Sequence, residues 1–204
     1  MSSHARQQLE DWLKKIEVEG HVLDIGGSQN PISGSRCKSW GADTYTIIDL
    51  PEPHETRRAA DISMDIQSTD IDGEKAQYRN WVIGHTGFFD QVFCLEVSEY
   101  WYDPMQALRN VHKLMKLYGT LYISFHWLYG LHPPEQRDCL RYSIYAIQEM
   151  LEKTGFQMDD VEIKTISEES EDHLLRFYHS EGMRVTRVDR SLFHEGYLVK
   201  AIKV

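Results

Sequence analysis

Apolar positions along the chain fall into two alternating rhythms. Leu9, Trp12, Leu13 and Ile16 recur at helical spacing, and Gly20 follows as a stop signal. Residues 21–25 form a short apolar run that predicts a strand, and residues 45–48, closed by Asp49, predict a second. Residues 89–97 are almost continuously apolar, the pattern of a parallel strand buried on both faces. Asp103-Pro104 then opens a helix, with Asp as cap and Pro in the first turn. Met105, Leu108, Val111 and Met115 supply its buried face, and Gly119 breaks it before a strand over 120–125. Ser143 begins a further helix with Ile144, Ile147 and Leu151 on one face, stopped by Gly155. Strands are predicted over 156–166 and 197–204, and a helix over 168–181 in the charged stretch between them.

Strands alternating with helices imply βαβ units, hence an α/β fold with a mainly parallel sheet covered on both faces. The last two strands are joined by a polar segment without an apolar crossover helix, so one of them is expected to run antiparallel. A length of 204 residues suits a single domain. Within it, 1–19 form an N-terminal helix, 127–142 a lid or acceptor loop, and 167–190 a charged insertion before the last strand.

Charge and composition narrow the function. Lys and Arg number 22 against 32 Asp and Glu, a net charge of -10, and no Lys/Arg run exceeds two, which argues against a nucleic-acid binder. Hydrophobic residues at 41% provide enough for a core and exclude a disordered chain. Cys37, Cys94 and Cys139 lie far apart with no CxxC, so no metal site is expected, and the thiols read as reduced in a cytoplasmic protein. Residues 1–8 have no apolar signal-peptide core. The longest apolar-aromatic stretch, 119–131, contains His126 and is too short to cross a bilayer, so no membrane insertion is expected.

Candidate chemistry gathers at the end of the first strand, in Asp24-Ile25-Gly26-Gly27-Ser28-Gln29-Asn30-Pro31. Doubly wound sheets bind ligands at the carboxyl ends of their strands, and glycines at such a turn let a ligand approach the backbone. Neither GxGxxG nor GxxxxGK[ST] is present. Asp24 inside the turn would repel a pyrophosphate and suit a cation. Asp49 ends the second strand, 25 residues on, where its two acceptor oxygens can hold both hydroxyls of a ribose. The pair points to a ligand with a ribose and a positive or zwitterionic end.

The segments VLDIGG, YTIIDL and FDQVFCLEVSEYWYDPMQALRNVHKLMKLYGTLYISF resemble the class I S-adenosylmethionine-dependent methyltransferases. The run from His132-Pro133-Pro134-Glu135 through Arg141-Tyr142-Ser143 to Leu151-Glu152-Lys153-Thr154-Gly155-Phe156 is similar to members acting on small molecules or glycans. The resemblance covers roughly residues 20–160. It implies a Rossmann-like, doubly wound sheet of seven strands with one antiparallel strand near the C-terminus. It also implies S-adenosylmethionine as cofactor and transfer of its methyl group to a small-molecule or glycan acceptor. By the same resemblance Asp24, Gly26 and Gly27 bound the methionine end, Asp49 holds the ribose, and Leu50 lies beside the adenine. Asp65-Ile66, in preference to Asp61-Ile62, stands near the adenine amino group, and Leu95 and Glu96 line the cleft. The family's turn DxGxGxG would put glycines where this chain has Ser28 and Asn30, whose side chains can donate hydrogen bonds to the cofactor carboxylate instead.

A sulfonium methyl is already activated, so the protein mainly aligns an acceptor with it. Where the acceptor must lose a proton, His126, His132 and Glu99 are the candidate bases, with His126 favoured because it directly follows a strand. Trp101, Tyr102, Trp127, Tyr129 and Tyr142 cluster around the same strand ends and either form an acceptor pocket, with Trp101, Trp127 and Tyr142 foremost, or pack a lid onto the core. Two other readings stay open: a catalytically degenerate cofactor-binding protein acting as sensor or partner, and a nicotinamide-dependent enzyme. The missing GxGxxG and the absence of a Tyr-x-x-x-Lys pair weigh against the latter.

Overall fold

The computed structural model describes residues 4–52, 57–68, 76–167 and 194–204. Among them are four helices, α1 (His4–Leu13), α2 (Ala76–Gly84), α3 (Pro104–Leu114) and α4 (Ile144–Lys153). Seven strands, β1 (Glu17–Ile25), β2 (Ser39–Asp49), β3 (Ile62–Ser63), β4 (Phe89–Cys94), β5 (Met115–His126), β6 (Val161–Ser167) and β7 (His194–Ile202), form one sheet in the order β3-β2-β1-β4-β5-β7-β6. Every pairing from β3 to β5 is parallel, while β7 runs against both β5 and β6. The fold is thus the α/β, mainly parallel seven-stranded sheet expected, with its antiparallel strand last. The helix expected over 168–181 and most of the charged insertion lie outside the described residues.

Side chains alternate across the pleat and divide the interior into two cores. Leu23, Val92, Leu121 and Ile123 pack on one face against Leu108 and Val111 of α3 and Ile147 and Leu151 of α4. Val22, Phe93 and Tyr122 point the other way and pack against Leu9 and Leu13 of α1. The Asp103 side chain accepts from the Gln106 amide at 2.9 Å, and Ser143 caps α4 in the same manner at 3.3 Å to Ala146 N. The Asp103 cap is the one the sequence predicts, and Ser143, expected as the start of its helix, is the residue before it, Ile144 being the first helical one.

Several boundaries differ from expectation for physical reasons. α1 stops at Leu13, and Gly20 lies inside β1, at φ +71° beside a register shift. A Cβ there would come within 2.5 Å of the Asp90 carboxylate, whose Oδ2 accepts from His21 N at 2.9 Å. Gly20 therefore makes a bulge that seats Asp90. Met115 begins β5 and does not belong to α3, and Gly119 sits within β5 near its own register shift, crowded by the Lys116 and Phe89 carbonyls. β2 extends well before residue 45, because its polar first half pairs with Glu17–Gly20 through backbone bonds that side-chain pattern does not reveal. The strand expected from 156 starts at Val161, after a 3-10 turn over Met158–Asp160. No described helix is long and apolar enough to cross a membrane.

Candidate active site

The order reverses between β1 and β4: β1 connects outward to β2, and β4 lies on its other side. This topological switch point opens a crevice at the carboxyl ends of the strands, where such sheets bind ligands. Two cavities meet there and share Gly26, Gln29 and Glu96. One is a largely apolar basin of about 370 Å³, with Ile48, Leu50, Met64, Ile66 and Trp101 among its walls and Asp49 and Asp65 on its lining. The other is a polar cleft of about 320 Å³, which brings Asp24, Asn30 and Leu95 together with three arginines and His132.

The turn after β1 is built around close approaches. Gly26 has φ +75°, and a Cβ on it would lie 2.3 Å from Val97 Cγ2. A Cβ on Gly27 would lie 2.4 Å from Asp24 Oδ2. Asp24 is buried, and its Oδ2 accepts from Ile32 N at 2.9 Å and Tyr45 OH at 2.6 Å. Burial raises its pKa to about 6, against the opposing pull of those hydrogen bonds and of Arg36. Asp49 is held by two backbone amides, Ser28 N to Oδ2 at 3.1 Å and Leu50 N to Oδ1 at 2.8 Å. Each oxygen keeps a second lone pair, and the residue lines the basin.

Asp65 and Ile66 both line the basin, whereas Asp61 turns its Oδ2 to Ile47 N at 2.8 Å. Gln67 and Asn110 fix this segment. Gln67 Oε1 accepts from Tyr102 N and Asp103 N at 2.6 and 2.7 Å, and Asn110 donates to the Ile66 carbonyl at 2.7 Å. Ser28 lines neither cavity. Its side chain is fully buried, with no partner for Oγ among the described residues, and it serves the site through its backbone. Asn30 does reach the polar cleft.

Glu99 lies in a 3-10 turn, Ser98–Tyr100, directly after β4, and is fully buried. Its Oε1 is 3.1 Å from His132 Nδ1 and 3.1 Å from His126 Nε2, the latter off the line of a hydrogen bond. Burial alone would raise the Glu99 pKa, but the two histidines outweigh it and hold the carboxyl below its usual range. His126 is buried, stacks on Tyr129 at 4.5 Å and reaches neither cavity, whereas His132 is part-exposed and lines the polar cleft. The Glu99 carbonyl also accepts from Cys139 N and Leu140 N at 2.8 and 3.1 Å. Residues 132–140 thereby form a strap across the basin, with Pro133, Pro134 and Arg137 on its lining and Arg137 reaching the Glu52 carbonyl at 3.3 Å.

Of the aromatic candidates, Trp101 is buried and lines the basin, with no partner for Nε1 among the described residues. Tyr102 also lines it and is largely exposed. Trp127 packs against the core, and Tyr142 is buried with its hydroxyl on the Ser98 carbonyl at 2.6 Å. Sequence reasoning missed Arg6, Arg36 and Arg57, all of which line the polar cleft. The first two belong to a charge ladder along the cleft wall: Arg6 pairs with Glu96 and Glu10, and Glu10 pairs with Arg36. Arg36 also donates to the Asn30 and Pro31 carbonyls. Only the tertiary fold brings α1 against this turn, so no local signal marks Arg6.

No family model matches the chain. Its sequence is 26% identical to a rice chloroplastic 2-methyl-6-phytyl-1,4-hydroquinone methyltransferase, over 89% of this chain and 55% of that protein. It is 27% identical to a ubiquinone biosynthesis O-methyltransferase of Coxiella burnetii, over 54% of this chain and 46% of that one. The chain thus spans about half the length of the curated relatives it matches. Among solved structures, an S-adenosylmethionine-dependent methyltransferase from Archaeoglobus fulgidus shares the fold with a TM-score of 0.58 at 16% identity, covering 98% of this chain and 92% of that one. A phosphoethanolamine N-methyltransferase of Haemonchus contortus, in complex with S-adenosylhomocysteine, superposes with a TM-score of 0.57 at 15% identity, over 97% of this chain and 52% of that one. The chain is thus similar in sequence to curated methyltransferases and shares the fold, with the same parallel strand order and glycine turn, of S-adenosylmethionine-dependent methyltransferases.

Proposed function

We propose that the chain binds S-adenosylmethionine across the two joined cavities and transfers its methyl group to a small-molecule or glycan acceptor. The observation that carries this is the junction itself: an apolar basin with an amide-held Asp49 opens at Gly26 into a charged cleft. A nucleoside fits the first by apolar contact with Leu50 and Ile66, with Asp49 accepting from the ribose hydroxyls and Asp65 near the adenine amino group. A zwitterionic tail fits the second, where Asp24 keeps an oxygen for an ammonium and Asn30 and the arginines answer a carboxylate. Leu95, Glu96 and Gly27 bound the passage between them. When bound, the cofactor supplies an electrophilic methyl group, and the residues of this chain align an acceptor with it and exclude water.

The acceptor is proposed to enter beside Tyr100, Trp101 and Tyr102, with residues 127–142 serving as lid. The relatives' names speak of hydroquinone and ubiquinone biosynthesis, and a ring-bearing small molecule suits this aromatic wall. The net charge of -10 disfavours a nucleic-acid acceptor, and three unpaired cysteines suit a reducing compartment such as the cytoplasm. Calorimetry with S-adenosylmethionine and S-adenosylhomocysteine tests the reading. Binding in the micromolar range or tighter is expected, and no heat at millimolar cofactor would overturn it.

A further inference from the structure

We propose that His132 is the base of the reaction, that Glu99 fixes its tautomer, and that the acceptor is accordingly a hydroxyl compound that must surrender a proton. This rests on the methyl-transfer reading above.

The argument is one of hydrogen bookkeeping around a single nitrogen. His132 Nδ1 is approached by two oxygens, Glu99 Oε1 at 3.1 Å and Tyr100 OH at 2.5 Å. The carboxylate can only accept. The Tyr100 hydroxyl has one proton, and it also lies 2.6 Å from the Pro133 carbonyl, another group that can only accept. With that proton on Pro133, Tyr100 presents a lone pair to His132. Both neighbours of Nδ1 therefore require it to carry a proton. In a neutral imidazole, Nε2 is then the bare nitrogen, and it belongs to a ring on the wall of the polar cleft.

Glu99 is not explained by packing. A fully buried carboxylate is costly unless its oxygens are paired, and Oε2 has no partner among the described residues. Its placement is explained if it stabilises the imidazolium that forms when His132 takes a proton. His126, which shares the same oxygen, is buried away from both cavities and cannot meet an acceptor. Glu99 is thus a positioning residue and His132 the group that touches the acceptor.

The step balances. An electron pair of the acceptor oxygen forms the new O–C bond as the methyl–sulfur bond breaks, and that bond's pair stays on sulfur and cancels its positive charge. The O–H proton passes to His132 Nε2 and from there to solvent. A neutral amine attacks before it loses a proton and a thiol ionises close to neutral pH, so a hydroxyl compound is the acceptor that depends on such a base.

Long-range proton–nitrogen NMR of the uniformly ¹⁵N-labelled full chain, with S-adenosylhomocysteine present, reads the tautomer directly. His132 is assigned by the signals that vanish in His132→Ala. The expected result is a protonated Nδ1 and a bare Nε2, with the double substitution Glu99→Leu and Tyr100→Phe, which removes both acceptors, giving a mixture of tautomers. A protonated Nε2 in the wild type overturns the proposal, as does an unchanged tautomer in that folded double variant. Formation of the demethylated cofactor is followed in parallel with catechol, ethylamine and ethanethiol as probes. Turnover with catechol, lowered about 10²-fold in His132→Ala with S-adenosylhomocysteine binding retained, supports it. Transfer to the amine or thiol in place of catechol overturns the hydroxyl class. Absence of S-adenosylhomocysteine binding would instead defeat the methyltransferase reading and leave the tautomer result standing by itself.

Discussion

The Asp49 carboxylate takes the Ser28 amide at 3.1 Å, so the end of β2 is tied to the glycine turn after β1. This tie sets the position of the one acid expected to hold a ribose. Asp49→Ala should weaken cofactor binding by about 1–3 kcal/mol, the usual loss for charge-assisted hydrogen bonds. Calorimetry on the variant checks this, and unchanged affinity would remove Asp49 from the site.

Gly27 faces a different constraint. A Cβ there would lie 2.4 Å from Asp24 Oδ2, which is itself fixed by Ile32 and Tyr45. Gly27→Ala should destabilise the fold by about 1–3 kcal/mol and weaken the cofactor site as the carboxylate is displaced. Denaturant melts together with cofactor titration read both effects.

Asp24 should make the empty protein less stable as pH rises. Burial pushes its pKa up to about 6, above the ordinary aspartate range, so the folded state holds the proton more tightly. Stability is highest below the unfolded pKa and declines as pH rises from about 4 through about 6, by an amount on the order of 2–3 kcal/mol. Asp24→Asn should flatten that decline while weakening the cofactor. Thermal melts across pH roughly 4–8 test it, and an identical pH profile in the variant would refute the assignment.

The two histidines beside Glu99 should separate cleanly. His132→Ala should lower turnover about 10²-fold with the fold intact, because its ring faces the cleft. His126→Ala should act mainly on stability, because its ring is buried against Tyr129. Equal loss of turnover in both, at equal stability, would contradict the geometry.

Features encoded within a few residues were legible beforehand. The Asp103 and Ser143 caps, the apolar β4 and the Gly26-Gly27 turn each carry their signal locally. The preference for His126 as base is where such reasoning loses its grip. A residue at the end of a strand can face the core or the crevice, and period alone does not say which, so strand position favours His126 although its ring turns inward. His132 is part of a segment that folds back on Glu99, 33 residues earlier, and a contact of that separation leaves no pattern in the sequence. The arginines of the cleft are of the same kind, since Arg6 meets Glu96 across 90 residues. The register shifts at Gly20 and before Thr120 depend on Asp90 and on neighbouring backbone, and so escaped both periodicity and glycine rules.

The strap over the basin is fastened at its two ends by unlike means. Its far end, at Cys139 and Leu140, hangs on the Glu99 main-chain carbonyl, which every substitution of that residue preserves. Its near end, at His132 and Pro133, hangs on two side chains, Glu99 and Tyr100. Loss of both side chains therefore does not detach the strap; it converts a latch into a hinge. The door would swing about 139–140, carrying Pro133 and Pro134 off the nucleoside basin, and the rate at which spent cofactor leaves should rise even as proton transfer fails.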